Sequence, residues 1–181
     1  MQERDVLRIL DAFSRAGIST LLEGGWAIDA LIGRQTREHR DLDVVVDRDE
    51  LAAAARVLTD MGFIHDAGRK PGLPAQLVMV DGTGREADVH PVLIDEAHNG
   101  WQQLSHTGAW GLYSAEGTRG LGRIGGRSVR CTTPDLQVRH HLGYDLKAKD
   151  IRDLRLLREH FSVSIPPSCY RDVPPVELPW T

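Results

Sequence analysis

Along residues 2–16 the apolar positions Val6, Leu7, Ile9, Leu10, Ala12 and Phe13 recur at helical spacing, and Gly17 stands where a left-handed C-terminal cap belongs. The pattern predicts an amphipathic first helix. Ser19 to Leu22 then reads as a short buried strand, broken by Gly24-Gly25 before a second helix from Trp26 to Leu31 that Gly33 closes. A polar loop, Arg34 to His39, leads into Asp41-Leu42-Asp43-Val44-Val45-Val46-Asp47, a β-branched run of strand length. Alanine-rich Asp49 to Met61 predicts a third helix, with Gly62 as its stop. Two further strands, Gln76 to Val80 and Glu86 to Ile94, flank Asp81-Gly82-Thr83-Gly84, which suits a tight hairpin turn. The glycine-rich stretch 97–130 shows no decisive period, apart from a hairpin suggested across Gly125-Gly126. Thr133-Pro134-Asp135 has the polar cap and first-position proline of a helix start, leading into Leu136 to Tyr144 and then a last helix, Ile151 to His160. Strands interleaved with helices predict an α/β (α+β) protein with a mixed twisted sheet, flanking helices and a C-terminal helical segment.

Composition narrows the class. With 181 residues, 41% hydrophobic and 27% charged, the chain is expected to form one globular domain over residues 1–160, with a proline-rich tail at 161–181 that holds five of the nine prolines. The two cysteines, Cys131 and Cys169, form no CxxC and no finger-like spacing, so neither a disulfide framework nor a zinc site is indicated. The start lacks a basic region running into an apolar stretch, and no segment approaches the ~20 apolar residues that span a bilayer. A cytoplasmic protein without membrane partners is expected, as a monomer or homodimer. Residues 119–158 carry ten basic and four acidic side chains within a chain of net charge −4. That stretch is either a solvated face or a surface for anions, while the acidic whole disfavours nucleic acid as a partner.

Candidate chemistry begins at Asp41 and Asp43. Two apart on a strand, they point to one face, and two carboxylates side by side raise one another's pKa unless a cation intervenes. Hard oxygen ligands without a His or Cys cluster favour magnesium; a plain carboxylate cap at a strand edge is the alternative. Asp88, in Glu86-Ala87-Asp88-Val89-His90, joins the pair if its strand is a neighbour. Gly24-Gly25 at a helix start offers free N–H groups and close approach to phosphate oxygens. His90, His140 and His141 read as hydrogen-bonded structural residues, and Trp101, Trp110 and Tyr113 equally as packing or as a stacking surface.

Gly24-Gly25-Trp26-Ala27-Ile28-Asp29, followed by Gly33-Arg34-Gln35 and Arg37-Glu38-His39-Arg40-Asp41-Leu42-Asp43, resembles the lincosamide nucleotidyltransferases and their aminoglycoside-adenylylating relatives. Asp88-Val89-His90-Pro91 is similar to the family's third-carboxylate strand, and Cys131 to Asp145, with Gln137, His141 and Gly143-Tyr144-Asp145, to its C-terminal helical segment. The resemblance spans roughly residues 5–158 and leaves 97–130 and the tail unmatched. It implies a polymerase-β-like nucleotidyltransferase fold, magnesium (Mg2+), a nucleoside triphosphate donor, ATP first among them, and transfer of a nucleoside monophosphate to a hydroxyl of a small-molecule acceptor. By the same resemblance Asp41 and Asp43 become metal ligands, Gly24 and Gly25 nucleotide contacts, and Asp88 the general base with access to the metal. Lys147 is the first residue of the basic stretch to test against the phosphates. Arg37 and His39 either touch phosphate or hold their loop. A protein or RNA acceptor, or a nonenzymatic nucleotide-binding module, are the rival functions.

Overall fold

A computed structural model describes residues 1–69, 71–104, 108–142 and 144–166. Helix α1 (Glu3–Arg15) buries Val6, Ile9, Leu10 and Phe13 as one stripe, as its spacing requires. Strand β1 (Leu21–Glu23) runs straight into α2 (Gly24–Ile32), so the glycine pair forms the first two residues of the helix rather than a break before it. Gly24, at φ +62°, makes that change of direction without a loop. Strand β2 (Asp41–Asp47) falls where its β-branched run places it, and a 3-10 turn (Arg48–Glu50) leads from it into α3 (Leu51–Asp60). Then follow β3 (Phe63–His65), β4 (Leu77–Asp81), β5 (Glu86–Ile94), β6 (Gly100–Gln103), β7 (Trp110–Tyr113), β8 (Gly120–Ile124), β9 (Arg127–Cys131), α4 (Pro134–His140) and α5 (Ala148–Phe161).

The strands form one mixed sheet in the order β3-β4-β5-β2-β1-β9-β8, with β6 and β7 appended beyond β5. β2 runs parallel to β5 and antiparallel to β1, and the hairpins expected at Asp81–Gly84 and Gly125-Gly126 close β4–β5 and β8–β9. β3, β6 and β7 were not anticipated. They have three or four residues each, and Ile64, Trp101 and Trp110 on them are exposed, so hydrophobicity there does not track burial. Helix α4 stops four residues short of the expected Tyr144, because His141 takes its C-terminal cap and binds the Gln137 carbonyl at 2.7 Å.

Each central strand has two unlike faces. On β2, Leu42, Val44 and Val46 enter the main core with α1 and α3, whereas Asp41, Asp43, Val45 and Asp47 occupy the other face. Helix α2 is apolar apart from Asp29 because it lies between two cores: Trp26, Ala27 and Ala30 face the sheet, and Ile28 packs with Val138, Leu154, Leu157 and Val163 of the C-terminal segment. The tail's first residues thus dock on the helices, while its remainder, 167–181, and Gly143 lie outside the described residues. At Gly122 a Cβ would come within 2.4 Å of the Ala30 carbonyl carbon; the glycine is what lets α2 sit directly on β8.

Candidate active site

The strand register assembles the aspartates. Asp43 is the cross-strand partner of Asp88 on β5 and of Glu23 on β1, and Asp41 partners Glu86. Paired residues on adjacent strands share a face, so Glu23, Asp43 and Asp88 form one row, with Asp41 a step along the same side. Burial, then the charges of Asp43 and Asp41, push the Asp88 carboxyl up to about 7. Asp43 is raised as well, by burial first and then by Asp41 and Glu23, against the hydrogen bond from His90. Asp88 Oδ1 is buried without a hydrogen-bond partner.

Glu23 has the opposite surroundings. Tyr113 donates its hydroxyl to Glu23 Oε2 at 2.5 Å, and His140 binds Oε1 from α4. Burial opposes the ionised form, but these hydrogen bonds prevail and hold the carboxyl down at about 2. Tyr113 also lies 3.2 Å from Gln102 Oε1, and the Gln102 amide nitrogen donates to the Ala75 carbonyl at 2.8 Å. That carbonyl can only accept, so the amide orientation is fixed, and His90 Nδ1, 2.9 Å from the same nitrogen, is an acceptor. His90 therefore carries its proton on Nε2 and donates it to Asp43 Oδ1 at 3.3 Å. Burial opposes a second proton, whereas the bond to Asp43 and the charges of Glu23, Asp43 and Asp88 favour one and push the imidazole up to about 9; the Gln102 nitrogen, fixed as a donor against Nδ1, decides for the neutral Nε2–H form. One chain of polar contacts runs from α4 through Glu23, Tyr113, Gln102 and His90 to Asp43. Beside it the sheet face opens into a cleft of about 620 Å³, lined by Glu23, Tyr113, Gln102, His90 and His140 and by Arg139, Leu104, Leu112 and Leu142.

The start of α2 borders the same row. A Cβ at Gly24 would lie 2.4 Å from Asp43 Oδ2, and no Glu23 side-chain bond caps the first turn of the helix. Its N–H groups are placed for an anion beside the carboxylates. At Gly25 the missing Cβ makes room for the protein itself, since Arg37 Nη2 and the His39 ring would each be 2.5 Å away. Arg37 is paired with Asp153 of α5 through Nε at 3.2 Å and Nη2 at 2.8 Å. His39 lies 2.5 Å from Asp29 of α2, which also accepts from Thr36 at 2.6 Å, and its ring is 4.7 Å from Trp26. Both therefore tie their loop to α2 and α5, Arg37 while lying against the glycine turn.

The basic stretch does not form one patch. Arg127 pairs with Asp11 of α1, Arg130 donates to Ser19 at 3.0 Å, and Arg152 donates to the Thr36 carbonyl. Lys147 is exposed at the N-cap of α5, where its backbone N–H donates to Asp150 at 2.8 Å. Of the stretch, Arg139 and His140 line the cleft. Glu23 and Gln102 carried no functional signal in sequence, Tyr113 read equally as packing or as a stacking surface, and Arg139 stood out only as one member of the basic stretch. His90 did carry one, standing two residues from Asp88 and hence on its face.

The residues fit a divalent cation. Crowded carboxylates with raised pKa values, an unpartnered buried Asp88 oxygen and a glycine against Asp43 are what a cation and a phosphate would relieve. Among the described residues no three ligand-type side chains enclose a point, so an ion here would complete its shell from water and phosphate, as magnesium does. No helix among the described residues is long and apolar enough to cross a membrane.

The known proteins that this chain resembles are nucleotidyltransferases, and the protein is an enzyme of that class. The chain belongs to the aminoglycoside-2''-adenylyltransferase family, whose model matches residues 5–157. It is 26% identical over 156 residues to a lincosamide resistance protein of Staphylococcus haemolyticus, covering 86% of this chain and 94% of the relative. A 2''-aminoglycoside nucleotidyltransferase of Escherichia coli is 37% identical over 71 residues, 34% of this chain and 40% of that one. Among solved structures, the lincomycin-bound lincosamide antibiotic adenylyltransferase LnuA superposes with a TM-score of 0.76 at 25% identity, over 87% of this chain and 97% of its own. ANT(2'')-Ia in complex with adenylyl-2''-tobramycin shares the fold, with a TM-score of 0.66 at 21% identity and 87% of both chains covered.

Proposed function

We propose that the protein transfers AMP from ATP, with magnesium, to a hydroxyl of a lincosamide or aminoglycoside antibiotic. The observation that carries this reading is the row Asp43–Asp88, joined by Asp41, beside the uncapped start of α2. The α2 N–H groups at Gly24 and Gly25 hold phosphate oxygens, with Arg37 against the same turn and Lys147 the outlying cation to test. Asp41 and Asp43 would hold the metal, Asp88 reaching it from β5; when bound it offsets negative charge on the α-phosphoryl group and on the departing pyrophosphate. Asp88 takes the acceptor's hydroxyl proton as its oxygen bonds to the α-phosphorus; the α–β bridging bond breaks and pyrophosphate leaves. A carboxyl pushed up to about 7 suits that task, because it can gain and lose a proton close to neutral pH. The acceptor enters from the cleft that Glu23, His90 and Tyr113 line.

The test incubates the protein with magnesium, each nucleoside triphosphate in turn, and lincomycin or tobramycin, and weighs the product. A drug heavier by one AMP is expected. Donor hydrolysis without a drug adduct in every combination would overturn the reading.

A further inference from the structure

The cleft beside Asp43 is poorly suited to a polycation. Among the described residues lining it, Glu23 is the single carboxylate, and both of its oxygens are taken, one by Tyr113 and one by His140. An ammonium group moved from water into such a site needs a free anion or acceptor to replace its hydration, and each unpaired one is costly. The lining instead presents a cation. Arg139 is exposed at the last turn of α4, and no hydrogen bond or ion pair engages its guanidinium among the described residues.

Much of the remaining lining is apolar. Pro71, Ala75, Leu104, Leu112 and Leu142 contribute to it, and Leu104 and Leu142 are 42% and 40% exposed. Large aliphatic side chains left open at the mouth of a cleft are surface that an apolar ligand group covers. Gly111 and Gly100 keep the appended strands close: a Cβ at Gly111 would touch Leu104, and one at Gly100 would touch Val92 and Tyr113. The apolar side chains are thereby held next to the polar row.

We propose that this cleft selects a hydroxylated acceptor with an apolar arm and at most one amine, a lincosamide rather than an aminoglycoside, and that Arg139 sets the choice by excluding polycations. The proposal rests on the transfer reading above and narrows it.

Binding and turnover separate the two. Calorimetry with magnesium and a nonhydrolysable triphosphate measures the affinity for lincomycin, a monoamine with an apolar arm, and for tobramycin, a polyamine without one; initial rates give kcat/KM for each. Lincomycin is expected to be preferred by roughly 100-fold in both measures, since one like-charge contact alone costs on that scale. Arg139→Glu should narrow the ratio by about 10-fold or more, mainly through tighter tobramycin binding, while Arg139→Lys keeps it. Leu142→Asn, at an exposed position, should weaken lincomycin about 5-fold and leave tobramycin where it was. Equal or better binding of tobramycin by the parent, or a ratio that Arg139→Glu does not move, overturns the proposal. Selective lincomycin binding with no adduct overturns the transfer reading and upholds the selectivity; binding of neither drug overturns both.

Discussion

Glu23 and Asp88 flank Asp43 at one level of the sheet, the first on β1 and the second on β5, and the protein treats them in opposite ways. Both are acids with little access to water. On the β1 side, Tyr113 and His140 arrive from β7 and α4 to satisfy both Glu23 oxygens, and the carboxyl stays ionised down to about pH 2. On the β5 side Asp88 keeps an unpartnered oxygen and faces two more aspartates, which leaves its carboxyl near 7. Burial is common to both, so partners decide. A fully bonded acid is scaffold; an acid short of partners is available to a cation or a substrate proton.

Asp43 lies between the two, and removing its charge is the most damaging change. Asp43→Asn keeps side-chain volume and an acceptor for His90, so circular dichroism should match the parent. Transfer should fall by about 10⁴-fold, the scale on which a member of a catalytic set is lost. A chelator should do the same to the parent, and excess magnesium should restore it. A folded variant with parental rates would detach the carboxylate row from the chemistry.

Asp88→Asn separates base from ligand. Transfer should drop roughly 10²–10³-fold while the magnesium–triphosphate affinity stays close to parental. Loss of that affinity alone would refute the base role. Stability moves the other way. The folded carboxyl, near 7, lies above its ordinary 3.8, so its contribution is full below about pH 4 and is lost as pH rises through 7. Metal-free parent should therefore weaken between about pH 4 and 7, and the variant should lack that limb, ending about 1–3 kcal/mol more stable than the parent at pH 8. Urea unfolding across that range and at pH 8 checks it.

For Glu23 the signs reverse. Its folded carboxyl, at about 2, lies below the ordinary 4.5, so its contribution is present above about pH 4.5 and is lost as pH falls through 2. Glu23→Gln should cost about 2 kcal/mol at pH 7, from the lost charge-assisted bonds, and should flatten the acid limb between pH 5 and 2. Magnesium should change neither result. An unaltered acid limb would mean that another carboxylate carries it.

That contrast was only half legible in the sequence. The β-branched run 41–47 made β2 plain, and a spacing of two put Asp41 and Asp43 on one face whatever the neighbours. Asp88 needed only β5 beside β2. Glu23 was hidden, because β1 has three residues and passes into α2 without a loop, so the glycine pair suggested that the strand ended earlier. Its partner Tyr113 was hidden too, with Gln102 behind it, because both belong to short, partly exposed strands, where composition mimics a loop. Gly25 shows a different limit. Sequence suggests space left for phosphate, but Arg37 and His39 fill it, so Gly25→Val would disturb the loop before it disturbed a ligand.

Gln102 joins the two flanks, touching Tyr113 on the Glu23 side and His90 on the Asp43 side. Its amide is oriented by the Ala75 carbonyl, which makes His90 Nδ1 an acceptor and leaves Nε2–H for Asp43. Gln102→Leu fills similar volume but removes that control. The Ala75 carbonyl loses its donor, at a cost of about 1–2 kcal/mol, and His90 becomes free to exchange tautomers. Asp43 then loses a fixed donor rather than its charge, so the transfer rate should fall only a few-fold, roughly the worth of one neutral hydrogen bond. Long-range nitrogen–proton spectra read the tautomer directly: the parent should show His90 protonated on Nε2 alone at neutral pH, and the variant a mixture. A parent imidazole protonated on both nitrogens would break the link between the flanks, because Gln102 would then be facing His90 with the wrong atom.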